Sequence, residues 1–131
     1  MILKTYQTRI FGSKKNYKMK STITVEVSLS EDKVPEKILW TATDSTADMM
    51  QKAKATMLSF WDGEDKSALR IDLWTNEMMV DEMADFYYQT FMGMADTFDR
   101  ATHMHPLVAD MKAFAKDFYA KFRATQVKEN N

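Results

Sequence analysis

The strongest constraint on the fold is a strict alternation of apolar and polar residues in STITVEVSL, residues 21–29. The residues on its apolar side are Ile23, Val25, Val27 and Leu29. Alternation with period two in β-branched residues predicts a half-buried strand. KILWTAT, residues 37–43, shows the same alternation after the polar segment SEDKVP at 30–35. We therefore predict an antiparallel hairpin with one buried face.

The next segment predicts a crossover helix and then a third strand. Ser45 and Asp48 have the spacing of a capping box. The residues that then recur at helical spacing are Met50, Ala53, Met57, Phe60 and Trp61. DGED at 62–65 is expected to end this helix. Residues 68–74 alternate again and predict a strand, paired parallel to the second strand or antiparallel to the first.

Two long helices are predicted for the second half of the chain. The first is capped by Thr75 or Asn76 and runs to about Ala101, and the second begins near Pro106. Their apolar stripes are Val80, Met83, Tyr87, Phe91, Met94 and Phe98, and then Val108, Met111, Ala115, Phe118 and Phe122. The first stripe is broadened by Phe86, Tyr88, Met92 and Ala95, so we expect this helix to be covered on more than one side. We predict an α+β fold of order β-β-α-β-α-α, whose three-stranded sheet (a hairpin plus a third strand after a crossover helix) is covered by helices.

Length and charge indicate one folded domain with a basic leader. The 131 residues fit a single domain, expected at 19–124, with a frayed tail at 125–131. Residues 1–18 carry five basic groups and no acid, whereas the rest carry 13 basic and 19 acidic groups. We expect 1–18 to be disordered or to lie upstream of the true start at Met19. The leader alone suits RNA or an anionic membrane, and the acidic body argues against a nucleic-acid partner.

Several classes of function lose support from composition. The chain has no cysteine and only three glycines, which excludes zinc-thiolate sites and Gly-rich phosphate loops. We find no signal peptide and no stretch long enough to span a membrane, and we expect a cytoplasmic protein. His103 and His105 are the only histidines, and an interhelical loop explains them better than a metal site. We therefore predict no catalytic residue, no metal and no cofactor, and no enzyme activity.

The outer face of the third strand is the best candidate for binding a partner. Arg70 and Asp72 lie two residues apart on that face, and Trp74 extends it. If helices cover the face, these side chains are packing; if it is open, Trp and Arg are residue types enriched at interaction hot spots. The two interpretations carry similar weight. Asp62 and Glu64, in the loop before the strand, complete the candidate surface.

Five segments resemble one family. They are VPEKILWTATD at 34–44, LSFWDGED at 58–65, ALRIDLWTNEMMVDEM at 68–83, FYYQTFMGMADTFDRAT at 86–102 and MKAFAKDFYAKF at 111–122. Together they resemble the gliding-motility protein GldC family of Bacteroidetes, over roughly residues 19–123. Residues 1–18 have no counterpart in this resemblance, and Met79 stands where a proline is expected in much of the family.

The resemblance implies a small protein without catalytic motifs that assists the gliding machinery, which is coupled to type IX secretion. We expect a non-catalytic accessory factor that binds a protein of the gliding or secretion apparatus. The alternative is a module that binds a small apolar ligand in a pocket lined by methionine and aromatic side chains. Met49, Met78, Met79 and Met104 fall off the helical stripes and suit an exposed patch. A homodimer through a strand edge or this patch stays open.

Overall fold

A computed structural model describes residues 19–47 and 49–130. The predicted leader at 1–18 and the predicted helix cap at Asp48 lie outside the described residues. The chain has an α+β fold with five strands followed by two helices. It divides into two units, the first ending at Glu77 and the second beginning at Met78. The single domain expected over 19–124, and the covering of the sheet by helices, stay predictions.

The first unit begins with the predicted hairpin. β1 (Ile23–Leu29) and β2 (Pro35–Ala42) pair antiparallel, with Val27 opposite Ile38. The connecting turn closes through the Lys33 N–H, which donates to the Ser30 carbonyl at 2.9 Å. Ile38 is fully buried. The middle of the predicted apolar face therefore lies inward, with Val25 and Val27 half-buried, whereas Ile23 and Leu29 at the two ends of β1 are exposed.

The predicted crossover helix is wrong, because its segment forms two strands. β3 (Gln51–Ala53) adds to β2 as the third strand of the first sheet. After a bend at Lys54, β4 (Ala55–Asp62) pairs antiparallel with β5 (Ser67–Trp74) in a separate two-stranded sheet. Ser45 caps a turn instead of a helix, since its Oγ donates to the Ala42 carbonyl at 2.6 Å.

The third predicted strand is confirmed as β5, but both of its predicted partners are wrong. It pairs with β4, the segment just before it, across the DGED loop. The predicted cap at Thr75 also has another role. Thr75 is buried, and its N–H and hydroxyl both donate to the Lys54 carbonyl, at 2.8 and 3.2 Å. This contact joins the bend before β4 to the end of β5.

The second unit is a helical hairpin of α1 (Val80–Thr102) and α2 (His105–Glu129). α1 begins after Met79, whose N–H donates to the Glu82 carboxylate at 3.0 Å. α1 ends where His103 adopts the left-handed conformation, with φ of 55°. Pro106 lies in the first turn of α2, as predicted, and α2 continues past residue 124, where we expected the folded chain to end.

The helices pack through aromatic and small side chains. Tyr88 stacks on Tyr119 with 4.8 Å between ring centroids, and Phe91 contacts Phe114 and Phe118 edge-on. Ala95 and Ala115 are fully buried. The α2 stripe is as predicted, but Val80, Tyr87 and Met94 of the predicted α1 stripe are exposed. The buried side of α1 follows Ala84, Tyr88, Phe91, Ala95 and Phe98, and of these only Ala84 was not among the predicted residues.

Candidate functional site

The β4–β5 hairpin carries every residue of the predicted partner-binding surface. Its register places Trp61 opposite Ala68, Ser59 opposite Arg70, Met57 opposite Asp72 and Ala55 opposite Trp74. Residues that face each other in an antiparallel pair project from the same side of the sheet. Trp61, Arg70, Asp72 and Trp74 therefore share one side of the hairpin, which we call the tryptophan face.

The two tryptophans of this face are far more exposed than tryptophans that pack in a core. Trp61 is 70% exposed and Trp74 is 59% exposed. A buried indole normally hides most of its large apolar area, so two open tryptophans on one side of a short hairpin leave that area in water. The interpretation of Trp74 as a packed residue therefore loses support.

Arg70 and Asp72 form a bidentate ion pair between the two tryptophans. Arg70 Nη2 lies 2.9 Å from Asp72 Oδ1, and Arg70 Nε lies 3.2 Å from Asp72 Oδ2. Both side chains are exposed, so water screens the pair and its contribution to folding stability is small. Its main effect is geometric, since two parallel hydrogen bonds hold the guanidinium plane in one orientation.

The loop at residues 63–66 is ordered by Asp62. Its Oδ1 accepts hydrogen bonds from the backbone N–H groups of Asp65, at 3.0 Å, and Glu64, at 2.8 Å. These two bonds hold the pKa of Asp62 below its ordinary value of 3.8. Asp62 therefore stabilises the turn that aligns the strands. Glu64 has an exposed side chain in the same loop, and a contact of either residue with a partner stays a prediction.

Trp61 is the residue that sequence reasoning missed. It was placed on the buried stripe of the predicted helix, whereas in β4 it lies on the exposed tryptophan face. The available signal lies after this segment, in the turn residues DGED at 62–65 and the strand pattern at 68–74. Two strand-like runs separated by a short loop with glycine are typical of a hairpin.

The opposite side of the hairpin is also partly open. Its apolar residues are Leu58, Phe60, Leu69, Ile71 and Leu73, which we call the apolar face. Phe60 is 58% exposed, close to the value for Trp74 on the other side. The hairpin therefore offers matched residues of similar exposure on opposite faces.

His105 and the acidic residues Asp96 and Asp99 lie in the second unit and make contacts between the two helices. His105 Nδ1 lies 2.8 Å from Asp99 Oδ1, and Lys112 Nζ lies 2.8 Å from Asp96 Oδ1, each joining α2 to α1. Within residues 19–47 and 49–130, no group of three or more His, Asp or Glu side chains has the arrangement of a metal site.

Three of the four methionines predicted to form an exposed patch are exposed, namely Met49, Met79 and Met104, whereas Met78 is half-buried. They are distributed over both units. A side chain that faces water does not line an enclosed cavity, so these residues give the apolar-pocket alternative no support, and that alternative stays a prediction. Among the described residues, neither of the two helices, α1 and α2, is long and apolar enough to cross a membrane.

Comparison with known proteins agrees with the resemblance seen in the sequence. No curated protein and no solved structure matches the chain. A family model described as gliding motility-associated protein GldC-like matches residues 35–124, which include four of the five strands, all of α1 and most of α2. Because this match covers more than half of the chain, the protein belongs to the GldC-like family of gliding motility-associated proteins.

Proposed function

We propose that this protein is a non-catalytic accessory factor of the bacterial gliding machinery that binds a partner protein through the tryptophan face. Family membership supports the link to gliding motility. The observation that carries the binding proposal is the pair of open indoles, Trp61 and Trp74, on the same face as the Arg70–Asp72 ion pair. We place the protein in the cytoplasm, where its partner is a component of the gliding or type IX secretion apparatus.

The gain from binding lies in the indoles. Tryptophan and arginine dominate the residues whose truncation costs most at protein interfaces, and such residues cluster where water is excluded. A partner that covers Trp61 and Trp74 removes a large apolar area from water, at roughly 25 cal/mol for each Å². Since both indoles already project from one face of a paired hairpin, no rearrangement of the backbone is needed to present them to a partner.

The ion pair between the indoles fixes orientation rather than affinity. Arg70 and Asp72 neutralise each other, so the face presents no net charge of its own. A partner that presents hydrogen-bond groups to the edges of this pair is favoured, and one that places an unpaired charge over it is penalised. The expected partner surface is therefore an aromatic or aliphatic pocket with a polar rim.

Absence of catalysis is also part of the proposal. Catalytic carboxylates and bases normally occupy a cleft, with a pKa shifted toward their task. Asp62 is committed to the turn and Asp72 to Arg70, and the pKa of Asp62 is lowered, which disfavours proton transfer near neutral pH. These commitments support a binding role for the hairpin.

Affinity capture from a gliding bacterium tests the proposal. Wild type is compared with Trp61→Ala/Trp74→Ala and with Phe60→Ala, which removes a similarly exposed ring from the opposite face of the same strand. Circular dichroism first establishes that each variant is folded. We expect a gliding or secretion component bound by wild type and Phe60→Ala and lost from the tryptophan variant, with its affinity reduced at least tenfold by titration with the purified partner.

The same titration contains the result that would overturn the proposal. If the partner binds the tryptophan variant as tightly as wild type, the tryptophan face is not its contact surface. If Phe60→Ala weakens binding as much as the tryptophan variant, the effect belongs to hairpin stability and not to one face.

A further inference from the structure

The middle of β5, LRIDL at residues 69–73, is self-complementary about Ile71. In ALRIDLW, residues 68–74, Leu69 and Leu73 lie two positions either side of Ile71. Arg70 and Asp72 lie one position either side and carry opposite charges. A strand of this kind presents the same pattern when it is reversed, with each charge meeting its opposite.

The outer edge of β5 is placed to pair with another strand. The Thr75 N–H donates to the Lys54 carbonyl at 2.8 Å, which fixes the phase of the β4–β5 ladder. Odd-numbered residues of β5 therefore direct their backbone groups toward β4, and even-numbered residues direct theirs away from it. Among the described residues β5 pairs with β4 only, and residues 68–72 are all exposed. A two-stranded hairpin is marginally stable alone and gains from a third strand.

We propose that β5 pairs antiparallel with β5 of a second copy of this chain, about a two-fold axis at Ile71. In this register Arg70 lies opposite Asp72 of the second copy, and Asp72 lies opposite its Arg70. On the other side Leu69 meets Leu73 of the second copy, and the two Ile71 side chains meet on the axis. The interface is isologous, since each subunit contributes the same segment.

Charge selects this register over its neighbours. A shift that moves the axis to residue 70 places two arginines opposite each other, and a shift to residue 72 places two aspartates opposite each other. Like charges directly opposite are destabilising in an antiparallel pair. The axis at Ile71 alone, among these three, gives two favourable cross-strand pairs. It also joins both hairpins into one four-stranded sheet and doubles the tryptophan face.

This dimer goes beyond the proposed function and does not depend on it, because a monomer or a dimer can each present the tryptophan face to a partner. The chain contains no cysteine, so a single introduced thiol reports directly on the register. Ile71→Cys places two thiols on the axis, where Cα atoms of a non-hydrogen-bonded pair are about 4.5 Å apart and a disulfide fits.

Leu69→Cys is the matched control. Leu69 is 57% exposed and Ile71 is 51% exposed, on the same face of the same strand. In the proposed register, position 69 lies four residues from its own copy, or about 13 Å, which is too far for a disulfide. We expect Ile71→Cys to form a covalent dimer on mild oxidation while Leu69→Cys stays monomeric. Equal cross-linking of the two, or none in either, would overturn the register.

Sedimentation of the charge variants provides an independent test. Wild type is expected to dimerise reversibly within about 1 µM to 1 mM, the range that suits an interface of one strand. Arg70→Asp and Asp72→Arg each place like charges opposite each other and should be monomeric alone. An equimolar mixture of these two variants restores both opposite-charge pairs and should dimerise. Wild type of one subunit mass throughout, or no recovery in the mixture, would refute the proposal.

Discussion

Replacing Lys66 with glycine is expected to stabilise the β4–β5 hairpin. Lys66, the last residue of the loop, has φ of 51°, in the left-handed region that favours glycine. The left-handed conformation costs an L-residue about 1–2 kcal/mol, and glycine loses roughly 0.5–1 kcal/mol more chain entropy on folding. The difference predicts a gain of about 0.5–1 kcal/mol in the free energy of unfolding.

Two further variants separate backbone strain from side-chain effects. Lys66→Ala removes the charge and the stem but keeps the Cβ atom, so it should give no comparable gain. Gly63 has no positive φ, and a Cβ placed there meets no atom within 4 Å. Gly63→Ala should therefore also stabilise the hairpin, by about 0.4–1 kcal/mol through the unfolded chain. The loop has its glycine at a position that does not require one.

Urea unfolding followed by tryptophan fluorescence measures these changes, since Trp61 and Trp74 lie on the hairpin itself. Linear extrapolation gives the free energy of unfolding for each variant. If Lys66→Gly is no more stable than Lys66→Ala, the left-handed strain assigned to Lys66 is not the quantity that limits this turn.

Two predictions concern the helical hairpin. Ala115→Gly should lower the free energy of unfolding by about 2 kcal/mol, the sum of about 1 for helix propensity and about 0.8 for the buried methyl group. Ala113 is exposed, so Ala113→Gly should cost only the helix-propensity part. Thermal melts followed at 222 nm should separate the two variants, and equal costs would contradict the burial of Ala115 between the helices. Lys112 lowers the pKa of Asp96 from its ordinary value of 3.8 by its hydrogen bond and its charge. The stability that this pair contributes is therefore present above pH 3.8 and is lost as the pH falls through the lowered pKa. In thermal melts between neutral pH and about pH 3, the stability of Asp96→Asn should fall less with acid than that of wild type, and an equal fall would argue against the pair.

The parts of the fold with strong periodicity were predictable. β1 and β2 alternate in β-branched residues, and α2 repeats apolar residues at 3 and 4 from Val108 to Phe122, so local sequence and tertiary packing agree. The buried side of α1 was predicted in part, because apolar residues surround this helix: Met83, Phe91 and Phe98 of the predicted stripe are half-buried, whereas Val80, Tyr87 and Met94 are exposed. The seam with α2 selects the small residues Ala84 and Ala95, which let the helices approach closely.

The segment at 45–62 was not predictable from its own pattern. Met50, Ala53, Met57 and Phe60 recur at helical spacing, but β3 obtains its hydrogen bonds from β2, and β4 obtains its bonds from β5. Pairing with neighbouring strands overrides the local helical spacing in such a segment. Because the segment was predicted as a helix, Trp61 was assigned to its buried side. With the two-residue period of a strand, Trp61 lies on the exposed tryptophan face.

The candidate surface was predicted in part. Arg70, Asp72 and Trp74 share one face because they alternate along one strand, and the sequence contains that information. Their exposure does not follow from alternation, since it depends on which elements cover the hairpin. The role of Asp62 in the turn follows from loop geometry that spacing alone does not define.

The proposed role of the tryptophan face is to bind a component of the gliding machinery. The most direct test is motility of a gliding bacterium whose own family member is deleted and replaced by variants expressed at equal level. We predict that wild type and Phe60→Ala restore spreading, whereas Trp61→Ala/Trp74→Ala does not. Spreading restored equally by the tryptophan variant would contradict this role.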